Sequence, residues 1–148
     1  MNQIKVYISG PYSSLPAKGE YNSISTSSNI YLARREALKW WNAGYGVFCP
    51  HTNTMNFDTL APEVPYENYL EYDLSIIPCH DVVVFLERWE DSNGSLKEHT
   101  KAATCSKVLL IKKADSYMIY KDGYLTTVDE VPSPAKLVDI LREHERTI

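Results

Sequence analysis

The chain is expected to form an α/β fold, with a parallel sheet of about five strands in flavodoxin-like or Rossmann-like order and helices on both faces. Three observations predict this fold. Short apolar segments alternate with segments of helical periodicity, which is the pattern of consecutive βαβ units. The central segment, Val82 to Leu86, is five consecutive apolar residues, as expected of a strand covered on both faces. No repeat, low-complexity tract or linker divides the 148 residues, which indicates one domain over residues 1–148.

The individual elements are placed by their periodicity and by the turn residues that flank them. The strands are expected at residues 4–9, 46–50, 82–86 and 107–112, with a short hairpin or edge strand over residues 117–128. The helices are expected at residues 29–43, 65–77 and 95–105, with a last helix beginning at Ser133 and Pro134. Gly44 ends the first helix, and Pro65 suits the first position of the second.

A long loop, from Pro11 to Ser28, leaves the carboxyl end of the first strand. It is rich in hydroxyl side chains and carries one cation, Lys18. Loops of this length inside a compact domain usually serve binding, although a disordered surface loop is the alternative. We therefore expect this loop to contribute to a site. A second irregular segment is expected from Asn56 to Val64.

The turn from Trp89 to Gly94 and the helix after it lie where chemistry is expected. In open α/β sheets, ligands bind outside the carboxyl ends of the strands, and this turn follows the central strand. Glu98 is predicted to lie in the first helical turn, where the helix dipole keeps a carboxylate ionised as a nucleophile or a stabiliser of positive charge. The alternative is a capping box of Ser95 and Glu98, which closes the helix N-terminus without any chemistry.

Two further polar residues are candidates because of their positions. Asp73 lies on or beside the apolar face of its helix, where a carboxylate needs a partner. That partner is a ligand hydroxyl, a local salt bridge or a set of backbone amides. His51 follows the second strand and is placed to touch a ligand there, although a histidine in a polar loop is more often only solvated.

Composition excludes several classes of partner. A net charge of -4 and a pI near 5.5 disfavour a nucleic-acid polymer or an anionic membrane, and no apolar run approaches the length of a membrane span. The N-terminal segment has no signal-peptide layout, so a cytoplasmic location is expected. The histidines and cysteines lack metal-ligand spacing, so we expect no metal and no cofactor. Cys49, Cys79 and Cys105 are expected to be reduced packing residues.

Four features occur in a characteristic order along the chain. They are Val6 to Gly10 in the first strand, Asp73 near the end of a helix, Asp81 opening the central strand, and Gly94 to Glu98. Together they resemble the nucleoside 2-deoxyribosyltransferase superfamily, which includes the deoxynucleoside 5'-monophosphate N-glycosidases. The likeness spans roughly residues 4–113 and implies the same α/β fold.

The resemblance implies a role for each matching residue. A glutamate at the position of Glu98 attacks the anomeric carbon of a nucleoside and forms a glycosyl-enzyme intermediate, which water or a second base resolves. The residue matching Asp73 contacts the sugar or assists proton transfer, and the tyrosine matching Tyr7 orients the glutamate. A fixed carboxylate stabilises an oxocarbenium-like transition state more than the neutral ground state. The substrate-binding residues expected beside these three are Gly10, Tyr12, Ser13, Ser14, His51, Trp89, Ser92 and Gly94.

Ser92 distinguishes between substrates in this resemblance. Transferases acting on free nucleosides place an aspartate six residues before the nucleophile, whereas the monophosphate glycosidases place a serine, whose hydroxyl can donate to a phosphate. The segment Gly10 to Ser14 lacks the arginine that the glycosidases use for the phosphate, which leaves Lys18 or backbone amides. We expect an N-glycosidase acting on a nucleoside monophosphate. The alternatives are a 2-deoxyribosyltransferase for free nucleosides and a non-catalytic nucleotide-binding module or sensor.

The resemblance also implies a homo-oligomer, a dimer or higher. Members of that superfamily build their sites with help from a neighbouring subunit. Trp40, Trp41 and the tyrosine-rich segment at residues 117–124 are the candidate interface. The other expected partner is a small-molecule nucleotide or nucleoside.

Overall fold

The computed structural model describes residues 3–147, and a six-stranded sheet forms the centre of that part of the chain. The strand order across the sheet is β2-β1-β3-β4-β5-β6. The strands are β1 (Lys5–Ser9), β2 (Gly46–Phe48), β3 (Val82–Phe85), β4 (Val108–Lys113), β5 (Ser116–Tyr120) and β6 (Tyr124–Val128). Each strand lies within about one or two residues of its predicted position.

The predicted α/β class is confirmed, but the sheet is mixed and has six strands over residues 3–147 instead of about five parallel ones. Strands β1 to β4 are parallel and follow the flavodoxin-like order. Strands β5 and β6 are antiparallel to their neighbours. The length of one connection explains the difference. Only Ala114 and Asp115 separate β4 from β5, whereas a parallel crossover needs a dozen or more residues.

Helices cover both faces of the sheet. Their bounds are α1 (Thr26–Asn42), α2 (Pro50–Asn53), α3 (Phe57–Leu60), α4 (Tyr66–Ile76), α5 (Asn93–Thr104) and α6 (Pro134–Thr147). Short 3-10 turns occur at Ile77–Cys79 and Trp89–Asp91. The long helices predicted from periodicity are therefore confirmed.

Two helical predictions needed correction. Helix α1 begins at Thr26 instead of Asn29, because the Ser25 side chain caps it by accepting from the Ser28 backbone amide at 3.1 Å. The short helices α2 and α3 occupy segments that were expected to be irregular. Pro50 occupies the first turn of α2, where its missing N–H costs no hydrogen bond.

One face of the sheet packs against α1 and α6. Val6 and Ile8 of β1 contact a buried cluster that includes Trp40 of α1 and Leu137 of α6. This is the larger core, and all four of these side chains are at most 1% exposed. It holds no part of the predicted catalytic set.

The other face packs against α4 and α5 and positions the candidate site. Side chains alternate along a strand, so Tyr7 and Ser9 point together to this face. Tyr7 packs in a cluster with Phe85 of β3, Ile77 after α4 and Ala102 of α5. Ser9 is fully buried although it is polar. A buried hydroxyl needs a partner, and that partner is on α5.

The long loop after β1 folds into a small hairpin. Leu15 pairs with Ile24, and Lys18 pairs with Tyr21, through backbone hydrogen bonds of 2.8 to 2.9 Å. A disordered surface loop had been the alternative for this segment. The observed pairing gives residues 15–24 a defined shape.

The structure corrects one packing prediction, for Cys79, and gives the two tryptophans of α1 different environments. Cys49 is buried and Cys105 partly buried, as expected, but Cys79 is exposed. Trp40 is fully buried, whereas its neighbour Trp41 is about half exposed. The helix turns by about 100° per residue, so adjacent tryptophans cannot face the same core.

Candidate functional site

The start of α5 differs from both sequence predictions. Ser92 is the N-cap, and its Oγ accepts from the Ser95 backbone amide at 3.2 Å. The capping box built on Ser95 is therefore wrong, and Glu98 lies in the second helical turn instead of the first. Two serines three residues apart both have the composition of an N-cap, and periodicity alone could not choose between them.

The carboxyl group of Glu98 points across to β1 instead of back along its own helix. Its Oε2 accepts a hydrogen bond from the Tyr7 hydroxyl, and its Oε1 accepts from Ser9 Oγ at 3.0 Å. Glu98 is 7% exposed, and no cationic side chain pairs with it among residues 3–147. Two neutral hydroxyls thus hold a buried acid in place.

Burial raises the pKa of Glu98 to about 7. The hydrogen bonds from Tyr7 and Ser9 lower this pKa, and the negative charge of Asp73 raises it. The prediction that the helix dipole keeps Glu98 ionised is therefore wrong, because desolvation dominates and Glu98 lies beyond the first turn. Burial and the Glu98 charge raise the pKa of Tyr7 well above its ordinary value, so Tyr7 remains a neutral donor.

Asp73 of α4 supplies a second carboxyl group to the same site. It is partly buried, and burial raises its pKa to about 6. Its charge acts on both Glu98 and Tyr7. Neither the salt bridge nor the backbone hydrogen bonds considered as alternatives are present in the described part of the chain, where Asp73 has no ion pair or hydrogen bond. Two acids with raised pKa values lie close together here.

Gly94 makes room for a residue that the sequence did not single out. A Cβ at Gly94 would lie 2.5 Å from the Tyr66 hydroxyl, so a larger residue at this position would displace the exposed Tyr66 side chain from the start of α5. Burial, then the charges of Glu98 and Asp73, raise the pKa of Tyr66. The phenol of Tyr66 therefore belongs to this site.

The first loop is anchored beside the site mainly through its backbone. A Cβ at Gly10 would lie 2.9 Å from Leu86, which explains the glycine by packing. Asn29 donates to the carbonyl oxygens of Tyr12 at 3.2 Å and Ser13 at 2.9 Å. Ser13 and its neighbour, the serine at position 14, are exposed. Their hydroxyls make no hydrogen bond within residues 3–147.

Tyr12 and His51 connect this loop to the segment after β2. The Tyr12 hydroxyl donates to Asp58 at 3.1 Å and accepts from the Asn56 amide at 2.9 Å. His51 is 4% exposed, so the expectation that it is solvated is wrong. Its Nε2 donates to the Pro11 carbonyl oxygen at 2.8 Å, and burial lowers its pKa. Its Nδ1 is buried with no partner in the described chain.

Trp89 packs within the chain. Its ring stacks on His99 at 4.7 Å with an interplanar angle of 11°, and it lies 5.2 Å from the Phe85 ring. His99 therefore covers one face of the indole. The predicted substrate-binding role of Trp89 is therefore limited to the part of the indole that His99 leaves uncovered.

The structure brings together most of the predicted catalytic set and adds two residues. Tyr7, Glu98 and Asp73 share one site with Gly94, and Ser9 and Tyr66 join them. The sequence could have indicated Ser9, because it lies two residues after Tyr7 and therefore on the same face of the strand. Tyr66 lies seven residues, or about two helical turns, before Asp73.

No group of three or more His, Cys, Asp or Glu residues is arranged to hold a metal ion among the residues searched, 3–147. Within the same residues, no helix combines the length and hydropathy that a membrane crossing requires.

A comparison with known protein families identifies the family of this chain. Residues 4–111 match a domain of unknown function, DUF4406, which is more than half of the 148 residues. The chain belongs to this family. The DUF4406 segment runs from β1 into β4 and contains Tyr7, Asp73 and Glu98. A search of curated proteins finds no match to the chain.

Proposed function

We propose that the chain cleaves the N-glycosidic bond of a nucleoside or deoxynucleoside 5'-monophosphate and releases the free base. The observation that carries this proposal is the carboxyl group of Glu98, which is buried, held by Tyr7 and Ser9, and placed beside Asp73 without a cation. Strongly perturbed acids at the carboxyl edge of a parallel sheet are characteristic of functional sites.

The reaction follows from these groups in two steps. An ionised oxygen of Glu98 bonds to C1' of the sugar, and the C1'–N bond breaks with its electron pair going to the base. The base takes a proton, for which Asp73 is the candidate relay because a pKa near 6 lets it carry a proton near neutral pH. Water then attacks C1' and gives a proton to the Asp73 carboxylate, the bond between C1' and the Glu98 oxygen breaks with its electron pair returning to the carboxylate, and the free sugar phosphate leaves.

The remaining residues support substrate placement in this proposal. Ser92 accepts from the Ser95 amide, so its O–H is free to donate to a 5' phosphate. Gly10, Ser13 and Ser14 line the exit of β1 on the same edge of the sheet. No arginine accompanies them in that loop, and a free nucleoside with transfer to a second base is therefore the second candidate.

The deciding experiment measures base release by chromatography from a panel of ribo- and deoxyribonucleoside monophosphates. Wild type is expected to release base, and Glu98→Gln is expected to lose release while keeping its circular dichroism spectrum. Glu90→Gln, which removes an exposed carboxylate five residues from the end of β3, is the matched control. Equal release by wild type and Glu98→Gln would contradict the mechanism.

Two variations of this assay separate the alternatives. Adding a second free base and detecting a new nucleoside would identify transfer. Nucleotide binding in calorimetry with no base released after long incubation would favour a sensor that lacks the chemistry.

A homo-oligomer belongs to the same proposal. Trp40 and Tyr117 lie in the core of the chain and are unavailable for an interface, whereas Trp41 and Tyr124 are more than half exposed. Sedimentation of wild type and of Trp41→Ser tests this, because a dimer through that face should dissociate in the variant.

A further inference from the structure

A cavity lies on the opposite face of the sheet from Glu98. Its volume is about 460 Å³, which is within the usual range for small-molecule sites. Pro11, Leu86, helix α1 and the β4–β5 turn contribute to its lining. The hairpin of residues 15–24 contributes the remaining wall. Leu86 belongs to the core on the α1 side, which separates this cavity from the carboxyl groups described above.

Lys112 presents a fixed ammonium group to this cavity. Its Nζ lies 3.1 Å from Glu36 Oε1 and donates to the Tyr117 hydroxyl at 3.3 Å. The Lys112 side chain is only 16% exposed. An ammonium group has three N–H donors, and these two contacts use two of them. The third donor is available to a ligand in the cavity that Lys112 lines.

Two further cations line the cavity from one stripe of α1. Arg35 and Lys39 are four residues apart, so they lie on the same side of the helix. Neither makes an ion pair or a side-chain hydrogen bond with any residue from 3 to 147. Three carboxylates also line the cavity: Glu36 pairs with Lys112, Glu87 accepts from the Ala114 amide, and Asp115 makes no side-chain contact of this kind within residues 3–147.

The hairpin wall is held in place by Arg88. Its guanidinium donates to the carbonyl oxygens of Pro16 at 2.8 Å and Asn22 at 3.2 Å, and it lies 5.7 Å from the centre of the Tyr21 ring. Its Nε donates to Asp91 at 2.9 Å. These contacts use three of the five N–H donors of Arg88. The hairpin also contributes apolar side chains to the cavity, which are Leu15 and Ile24.

We propose that this cavity is a binding site for a small organic phosphate ester. The phosphate contacts Lys112, Arg35 and Lys39, and the organic group packs under the hairpin. Three cationic groups from two elements suit a tetrahedral group with three terminal oxygens better than a planar carboxylate with two. The site is independent of Glu98.

The experiment is a titration of 15N-labelled full-length chain with phenyl phosphate, followed by amide chemical shifts. The largest shifts are expected at Arg35, Lys39, Lys112 and the hairpin, and they should persist in Glu98→Gln. The Glu98→Gln variant tests the two sites separately. It is expected to lose base release but to bind phenyl phosphate in this cavity as wild type does. Shifts confined to the residues around Glu98, or no shifts, would overturn the proposal.

Variants and matched ligands complete the test. Arg35→Gln with Lys39→Gln should weaken phenyl phosphate at least about tenfold, because two charged donors are lost. Arg34→Gln removes an exposed arginine of α1 that does not line the cavity, and it should bind as wild type. Equal weakening of phenyl phosphate binding in the double variant and in Arg34→Gln would contradict the proposal. So would benzyl alcohol or inorganic phosphate binding as tightly as phenyl phosphate.

Discussion

Two buried glutamates lie on opposite faces of one sheet and differ in what surrounds them. Glu36 of α1 is 2% exposed, and Glu98 of α5 is 7% exposed. Each accepts a hydrogen bond from a buried tyrosine, Tyr117 or Tyr7. Glu36 also pairs with Lys112 at 3.1 Å and accepts from Trp40 at 2.9 Å. Glu98 has only hydroxyl donors and lies near a second acid.

This difference separates a structural acid from a candidate catalytic one. A counter-ion and two donors offset the desolvation of Glu36 inside the core. Glu98 has two hydroxyl donors but no counter-ion among residues 3–147, so desolvation dominates and its pKa rises to about 7. A buried carboxyl group that changes protonation near neutral pH is what nucleophilic and acid–base chemistry requires.

The largest expected effect separates the two glutamates by activity. Glu98→Gln should lower kcat/KM for base release by about 10⁴-fold or more, because it removes the nucleophile. Glu36→Gln should keep most of the activity but lower the free energy of unfolding by on the order of 3 kcal/mol, because Lys112 loses its partner. Steady-state kinetics and urea denaturation measure the two quantities. If both variants remain folded and lose activity equally, the distinction between a structural Glu36 and a catalytic Glu98 is wrong.

The next effect is a pH dependence of stability that belongs to Glu98. Its pKa of about 7 in the folded chain exceeds the ordinary value of 4.5, so the folded state binds the proton more tightly. Stability is therefore highest below about pH 4.5 and falls as pH rises towards 7, by on the order of 3 kcal/mol. Asp73, raised to about 6, adds a smaller change of the same sign.

Denaturation of wild type and Glu98→Gln at several pH values tests this assignment. The variant should show a much flatter dependence between pH 4.5 and 7, since its amide does not titrate. Glu90→Gln is the control and should keep the wild-type slope. A slope that is the same in wild type and Glu98→Gln would assign the dependence to other groups.

A smaller effect compares the two tyrosines. Tyr7→Phe removes one of two donors to Glu98, so we expect a loss of about 1–3 kcal/mol that grows with pH as the carboxyl group ionises. It should also raise the pKa of Glu98 further, because the hydrogen bond from Tyr7 lowers it. Tyr117→Phe leaves Glu36 with Lys112 and Trp40, so a loss of about 1 kcal/mol is expected. Urea denaturation at pH 5 and pH 8 distinguishes them, and a larger loss in Tyr117→Phe at both pH values would reverse the comparison.

The smallest expected effect comes from the neighbouring acid. Asp73→Asn removes a negative charge that raises the pKa of Glu98, so the acid limb of kcat/KM should move to lower pH by less than about one unit. The maximum rate should also fall, because an amide cannot relay a proton. Glu71→Gln, on the exposed side of the same helix, should leave the profile unchanged. A shift to higher pH in Asp73→Asn would show that the two acids do not interact as described.

The order and type of most elements could be predicted because they depend on local patterns. The apolar run from Val82 to Leu86 is typical of a buried strand, and the periodicity of α1, α4 and α6 is typical of amphipathic helices. The helix starts were less certain, because Ser25 and Ser92 compete with nearby residues of similar capping strength. The antiparallel β5 was not counted separately, although its two-residue connection to β4 excludes a parallel neighbour.

The sequence by itself determined the α/β class, the strand positions and the placement of Glu98 on a helix after the central strand, because spacing and hydrophobicity are local properties. Only the tertiary structure decided that Tyr7, Ser9 and Asp73 surround Glu98 and that His51 is buried. It also decided that Glu36 has a counter-ion, whereas Glu98 has none among residues 3–147. These facts depend on contacts between residues distant in the chain. Such contacts set the desolvation of each carboxyl group, and desolvation is what raises the pKa of Glu98.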